Sequence, residues 1–404
     1  MSAPSFASPP SPRVASVDAY RGFVMFLMMA EVLHLCRVAA NLREDGAPGA
    51  FWDFLCHHQS HVAWVGGSLH DLIQPSFSFL VGVALPFSLA ARAAQGQSTG
   101  RQWMHALWRA LALVLLGVFL RSTGSSQTNW TLEDTLSQIG LGYPLLFALG
   151  FTRPRGQWLA LGVILFGYWL IFALHPLPAP GFDYSAVGVA PEWLEKHGLT
   201  GFAAHWQMNS NFAWAADRTI LNWFPRPKPW EYNGGGYATL SFIPTLGTMV
   251  LGLLAGGVLR SDRTPRAKLT WFLVAGGAML AAGWALGAAG VCPVVKKVWT
   301  PSWVLFSGGW CFLLLAGFYA VADLAEQKRL FFPLMVIGAN SIFAYSVAHL
   351  WDGFIAKNLK THLGQEFFQF AGAAYEPFVQ GAAVLLVFWL ILWWMYRRKV
   401  FLRI

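Results

Sequence analysis

Long apolar runs separated by short polar stretches organise the chain from about residue 16 to its end. Ten of them approach the length of a membrane span: residues 19–40, 70–92, 103–121, 135–151, 157–175, 239–259, 269–289, 302–322, 331–350 and 377–396. Roughly 20 apolar residues in a helix cross about 30 Å of hydrocarbon. Within lipid a helix satisfies its own backbone hydrogen bonds, which an isolated strand cannot do. The pattern therefore predicts an all-α, polytopic integral membrane bundle of about ten transmembrane helices, with residues 16–404 forming one transmembrane domain.

Two stretches depart from the pattern. Residues 1–15, MSAPSFASPPSPRVA, have neither an apolar core nor a cleavage site, and read as a disordered cytoplasmic tail rather than a signal peptide. Residues 176–238 form the one long insertion. Their Trp, Pro and Asn content predicts a folded outer-face loop, a place where function commonly resides. It ends in NGGG at 233–236, where glycines allow a tight turn or a close backbone approach to a polar ligand.

Composition agrees: 56% of residues are hydrophobic and 12% charged, so lipid is the main solvent. With the N-terminus cytoplasmic, 17 of the 28 Lys and Arg fall on the inner side. This bias predicts cytoplasmic N- and C-termini. It also accounts for the net charge of +9 through topology and anionic lipid, with no need for nucleic acid. Absence of a targeting peptide leans toward a bacterial inner membrane. Two of the four cysteines, Cys56 and Cys292, fall in outer segments, where a disulfide between them is one option and buried apolar filler the other.

Ionisable groups inside spans are costly and mark candidate sites. Glu31 lies deep in the first run, with His34 three residues on and on the same helical face. At the far end, CHHQSH brings His57, His58 and His61 together. His57 and His61 are spaced to grip a metal on a helix, with Asp71 able to fold back, but no further Cys or carboxylate completes a ligand set, and no metal is assigned. One catalytic His with two bystanders is preferred, since an imidazole near neutrality can take a proton from an amine or hydroxyl. Asp71, Gln74 and Ser78 form a polar stripe on the second run, read either as a site or as an interfacial cap. Ser341, Tyr345, His349 and Asp352 form another on the ninth, beside Asn340, as cavity lining or as helix-to-helix glue. Asp18 and Arg21 are an exposed pair or a phosphate contact. Gly283 and Gly287 supply a small face for helix packing. No inverted repeat supports a transporter.

Taken in order, SVDAYRGF (16–23), HVAWVG (61–66), DLIQPSFSFLVGV (71–83), LSQIGLGY (136–143), Asp217–Arg218, TLGTMVLGLLAG (245–256) and GANSIFAY (338–345) resemble the transmembrane acyltransferases related to heparan-alpha-glucosaminide N-acetyltransferase. The resemblance covers nearly the whole chain, and H-x-x-W-x-G followed by D-L-x-x-P-x-F is its most specific part. It implies acetyl-CoA as the acyl donor, bound from the cytoplasm, and transfer to an amino-sugar or glycan acceptor on the periplasmic side. It puts the catalytic histidine at His61; the residues themselves add Glu31 as a catalytic companion, with His34 and Asp71 in support. Gln74, Asp217, Arg218, Asn340, Ser341, Tyr345 and His349 are then expected at the substrate and Arg21 at the donor. Membrane lipid is a further partner, and a homodimer is compatible with it. The chain departs from the pattern at Glu31, where relatives often carry Asn, at Ser137 and Gln138 in place of Gln-Arg, and at NGGG in place of Asp-Pro-Glu-Gly. A transporter or flippase of a glycan or lipid-linked substrate on the same scaffold is the competing reading; it predicts substrate movement without thioester cleavage.

Overall fold

The computed structural model describes residues 14–46 and 49–402. The tail expected over residues 1–15 lies outside them apart from its last two positions. The described residues form sixteen α-helices joined by loops, short 3-10 turns and one π-helical turn, Tyr319–Leu324: α1 Ala15–Met29, α2 Leu35–Glu44, α3 Ala50–Gln59, α4 Ile73–Ala94, α5 Thr99–Ser122, α6 Thr135–Leu149, α7 Pro154–Ala173, α8 Pro191–His197, α9 Phe212–Ile220, α10 Phe242–Arg260, α11 Pro265–Ala288, α12 Pro301–Phe318, α13 Phe332–Gly338, α14 Ser341–Leu350, α15 Asp352–Leu363 and α16 Glu376–Arg397. Among them the one strand-like pairing is an isolated antiparallel bridge, Val65 to Val295.

Each of the ten apolar runs meets a helix. Eight helical stretches are long and apolar enough to cross a membrane. The ninth expected span is α13 and α14 in succession, bent by 59° at residues 339 and 340. The remaining run is α6, which carries Pro144 and stops at Gly150; its 15 residues reach only about 22 Å. The first run is also interrupted. After α1 the chain tightens into a 3-10 turn, Ala30–Leu33, and His34 takes φ 48°, a left-handed conformation that ends the helix and redirects α2. Gln59 repairs this break from α3, donating to Ala30 O and accepting from Leu35 N at 2.8 Å.

In lipid, tight association rests on close backbone contact rather than on the hydrophobic effect. The α4–α10 pair achieves it with three glycines: a Cβ on Gly82 or Gly252 would overlap the carbonyl oxygens of Met249 and Phe79, and one on Gly256 that of Val83. Gly283 packs similarly against Ser302 and Phe306 of α12, as its small-residue face predicts.

The 176–238 insertion is folded. It contains α8 and α9 and closes a second apolar core with Trp64, Tyr168, Phe172, Trp206, Met208 and Val295. Its end turn is an Asx turn: Asn233 Oδ1 accepts from Gly235 N at 2.8 Å and Tyr237 N at 3.3 Å. Gly236 sits there at φ +75°, where a Cβ would run into the Trp64 ring. Close packing on Trp64 and the positive φ thus account for Gly236 without a ligand.

The cysteines resolve differently from the option read in the sequence. Cys56 is bonded to Cys36, tying α2 to α3, whereas Cys292 is buried and free. The hairpin turn brings residues twenty apart together, while Cys292 sits in the second core beside Ser302.

Candidate functional site

The stretch HVAWVG is held by its tryptophan. Trp64 is buried, with its indole N–H donating to Trp206 O at 3.2 Å. One residue on, Val65 bridges Val295 and Gly66 N donates to Val294 O at 2.9 Å. This short pairing lays residues 61–66 beside the connection between α11 and α12 and brings Lys296 to His61.

Three side chains meet there. His61 Nδ1 lies 2.7 Å from Asp71 Oδ1, Lys296 Nζ lies 3.2 Å from that oxygen, and Lys296 Nζ is 3.1 Å from His61 Nδ1. Asp71 stands in the 3-10 turn His70–Leu72 at the head of α4 and is fully buried. Its second oxygen accepts from Val62 N at 3.2 Å, Ser68 N at 3.0 Å and Ser68 Oγ at 3.1 Å. An acceptor so well supplied stays ionised. A carboxylate 2.7 Å from an imidazole nitrogen requires a hydrogen between them, so His61 carries it on Nδ1 and keeps Nε2 for chemistry. His61 is half-buried; burial holds it below the ordinary histidine value, the Asp71 hydrogen bond opposes this, and Lys296 adds to it. Lys296 is buried, and that burial lowers its ammonium, partly offset by Asp71.

A second histidine backs the first. The His70 ring centroid lies 4.5 Å from that of His61, and His70 Nε2 is 3.3 Å from Glu31 Oε1. Glu31, which is exposed and not deep in the bundle, therefore faces His70 and not His34, which the break at φ 48° turns outward. The expected Glu31–His34 pair on one continuous helix is corrected accordingly. His57 is tied into an edge stack with His58, whose Nδ1 accepts from Leu69 N at 3.3 Å. Among the described residues no group of three or more His, Cys, Asp or Glu is arranged to hold a metal. Tyr237 closes another side, its ring 6.5 Å from that of His61 and beneath Lys297 at 5.6 Å; burial pushes its phenol up to about 12.

The other end of the bundle holds a cavity of about 790 Å3 between α1, α4, α5, α6, α13 and α14. Arg21, Arg109 and Lys328, with one carboxylate, Asp18, and the polar Ser88, Thr135, Ser341 and Tyr345, line it among apolar side chains. Arg21 is 3.4 Å from Asp18, and Arg109 lies over the Tyr143 ring with its Nε buried and without a partner. His61 does not line this cavity. The link is α4: Asp71, Gln74 and Phe77 follow at intervals of three, and Phe77 is a wall residue, so site and cavity are roughly 9 Å apart along the helix. Gln74 stands between them, donating to Gln138 Oε1 at 3.3 Å, which also accepts from Thr245 at 2.9 Å.

The remaining expected residues scatter. Ser341 and Tyr345 reach the cavity, but His349 is exposed, stacked on Tyr345 at 4.3 Å, and Asp352 begins a new helix. Asn340 binds Val400 O at 3.0 Å and Leu402 N at 3.0 Å, holding the C-terminal segment on α14. Asp217 is buried in the cap, with one oxygen accepting from Thr239 N at 2.9 Å and the other unpartnered; burial pushes it up to about 7. Arg218 points outward over Trp214. Sequence reasoning missed Lys296, 235 residues from His61. The signal was available: Lys296 and Lys297 are adjacent in a short connection on the side expected to be poor in Lys and Arg.

Fold and site together define a polytopic helical membrane protein with a His–Asp–Lys cluster at one end and a cationic, largely apolar cavity entering from the other. No family model matches the chain. It is similar to heparan-alpha-glucosaminide N-acetyltransferase of Homo sapiens, at 23% identity over 437 residues, and of Mus musculus, at 22% over 436. Each alignment takes in 97% of this chain and 60% of the relative, so the chain spans about three fifths of the length of the curated relatives it matches. The resemblance read from its motifs is therefore one to these N-acetyltransferases along almost its whole length.

Proposed function

We propose that this protein is a membrane acyltransferase that moves an acetyl group from acetyl-CoA, taken up at the Arg21 end, to an amino sugar or glycan fragment at the His61 end. The observation that carries the reading is the 2.7 Å contact between His61 and Asp71 at the head of a helix whose next turns wall the cavity. The relatives' names supply the reaction class.

The residues present fit such a donor. Arg21, Arg109 and Lys328 supply positive charge where a polyphosphate would sit, and Arg109 Nε is an orphaned buried donor in that wall. The apolar side chains of α4 and α6 suit a thin, weakly polar arm. When bound, the donor supplies an activated thioester carbonyl. His61, anchored through Nδ1, offers Nε2 to the acceptor amine and takes its proton as the C–N bond forms and the C–S bond breaks. That proton then passes to the departing thiolate. In a second route His61 Nε2 attacks first and is transiently acetylated. Labelled acetyl trapped on His61 without acceptor distinguishes the routes.

Two features support placing the His61 end outward and the Arg21 end in the cytoplasm, as in a bacterial inner-membrane protein. The Lys and Arg bias is one. The Cys36–Cys56 bond is the other, because disulfides persist in oxidising compartments.

The test is transfer from labelled acetyl-CoA to amino-sugar acceptors by the purified protein in lipid. His61→Ala is expected to lower transfer by about 10²–10⁴-fold while leaving CoA binding within about twofold. His57→Ala, which touches neither Asp71 nor Lys296, is expected to stay near the wild type. Equal losses would point to a metal cluster, and substrate movement without thioester cleavage to a flippase; either overturns the reading.

A further inference from the structure

Lys296 is buried against a site whose chemistry, as proposed above, needs only His61 and Asp71. Burying an ammonium without a use is costly. Its setting is well defined. Nζ has Asp71 Oδ1 at 3.2 Å and His61 Nδ1 at 3.1 Å. Since Nδ1 already carries the hydrogen that faces Asp71, it offers Lys296 no lone pair, and the ammonium donates to the carboxylate alone. One oxygen of Asp71 thus serves two donors, and a cation stands in van der Waals contact with the imidazole.

We infer that Lys296 is a positioning residue which, by holding its ammonium on the Asp71 oxygen that already fixes the Nδ1–H tautomer of His61, keeps the imidazole uncharged between turnovers, so that Nε2 is available as base or nucleophile. The inference rests on the acyltransferase reading for its purpose but not for its measurement.

A protonated His61 would leave two cations within 3.1 Å sharing one carboxylate oxygen. Like charges at such a distance disfavour the second protonation. Burial of His61 acts first in this direction and the Lys296 charge adds to it, while the other groups facing the ring act as their own charges dictate. Asp71, from the head of α4, favours protonation; His70, beside it, is an imidazole in ring contact; Glu31 lies beyond His70 at the end of the first span. Tyr237, ahead of α10, presents a phenol with a raised pKa, and Lys297 acts in the same sense as Lys296 from further away. Asp71 alone would make His61 a better proton trap; with Lys296 the pair is held in its reactive form.

The test reads the protonation of His61 without acyl transfer. Diethyl pyrocarbonate modifies neutral imidazole, and the half-exposed His61 is followed at peptide level by mass spectrometry across pH in the intact protein. The midpoint in Lys296→Met is expected about one pH unit above the wild type, because a neighbouring cation has been removed. Lys296→Arg, which keeps the charge, is expected to retain the wild-type midpoint. The acid limb of kcat/KM for transfer should move upward with the modification midpoint in Lys296→Met. An unchanged or lower midpoint in Lys296→Met, or a raised one in Lys296→Arg, overturns the inference. Should Lys296→Met not reach the membrane, Lys296→Gln, which keeps a donor for Asp71 and drops the charge, reads the same shift. Failure of the acyltransferase reading looks different: transfer is absent in the wild type while the modification midpoints still separate the variants.

Discussion

The carboxylate of Glu31 lies 3.3 Å from Nε2 of His70, joining the end of the first span to the head of the second apolar helix. His70 in turn lies tilted against His61, so Glu31 reaches the proposed reacting imidazole through another ring. A contact of this kind orients; a proton carried by Glu31 would act differently. Glu31→Gln keeps an acceptor for His70 and is expected to retain about half of the transfer rate or more, whereas Glu31→Ala is expected to lose about tenfold. Initial rates of the two variants check this, and equal losses would give the charge of Glu31 the larger role.

Asp217 makes the stability of the cap depend on pH. Burial raises its carboxyl to about 7, so between the ordinary carboxylate range and that value the folded protein holds a proton that the unfolded chain has released. Stability therefore falls as pH rises through this window and levels off above it. Asp217→Asn keeps the acceptor for Thr239 N and cannot ionise. Its melting temperature is expected to match the wild type near pH 4 and exceed it by several degrees at pH 8, read by thermal-shift midpoints in detergent.

Cys36 and Cys56 close a loop across twenty residues. A cross-link of that length restricts the unfolded chain by about 3 kcal/mol in the loop-entropy account. Cys36→Ser with Cys56→Ser is expected to lower the melting temperature and loosen the α2–α3 hairpin, raising proteolysis near residues 57–61. Non-reducing peptide mapping should return the 36–56 pair and leave Cys292 alkylable only after unfolding.

Glycine packing between α4 and α10 predicts a contrast within one helix. Gly252→Ala puts a methyl group on the Phe79 carbonyl, and overpacking of this kind costs about 1–3 kcal/mol. Gly257 has nothing within 4 Å of its Cβ position, so Gly257→Ala is expected to be neutral. Folded yield and melting temperature of the two variants give the comparison.

The bundle was legible because lipid leaves the backbone few choices, and runs of apolar residues long enough to span had to be helical. Its interruptions were less so. His34 gives no glycine or proline signal for the break in the first span, and its left-handed backbone is stabilised from outside by Gln59, a residue on another helix. At the site, His61 and Asp71 were visible because their spacing is short and patterned. Lys296 was not, because it arrives through one bridge between distant loops. Cys36 escaped notice for a related reason: placed inside an unbroken span, it would have had no access to Cys56.

The three glycines of the α4–α10 contact have a mechanical meaning. With carbonyls pressed into the positions where side chains would begin, the two helices interlock along their contact and form a closely packed post. Asp71 crowns that post, so the aim of His61 is fixed to it. Across the cavity the facing limb is split at Asn340 and bent by 59°. The cavity is thus flanked on one side by this interlocked pair and on the other by a jointed limb, and it stops about 9 Å short of Asp71 along α4.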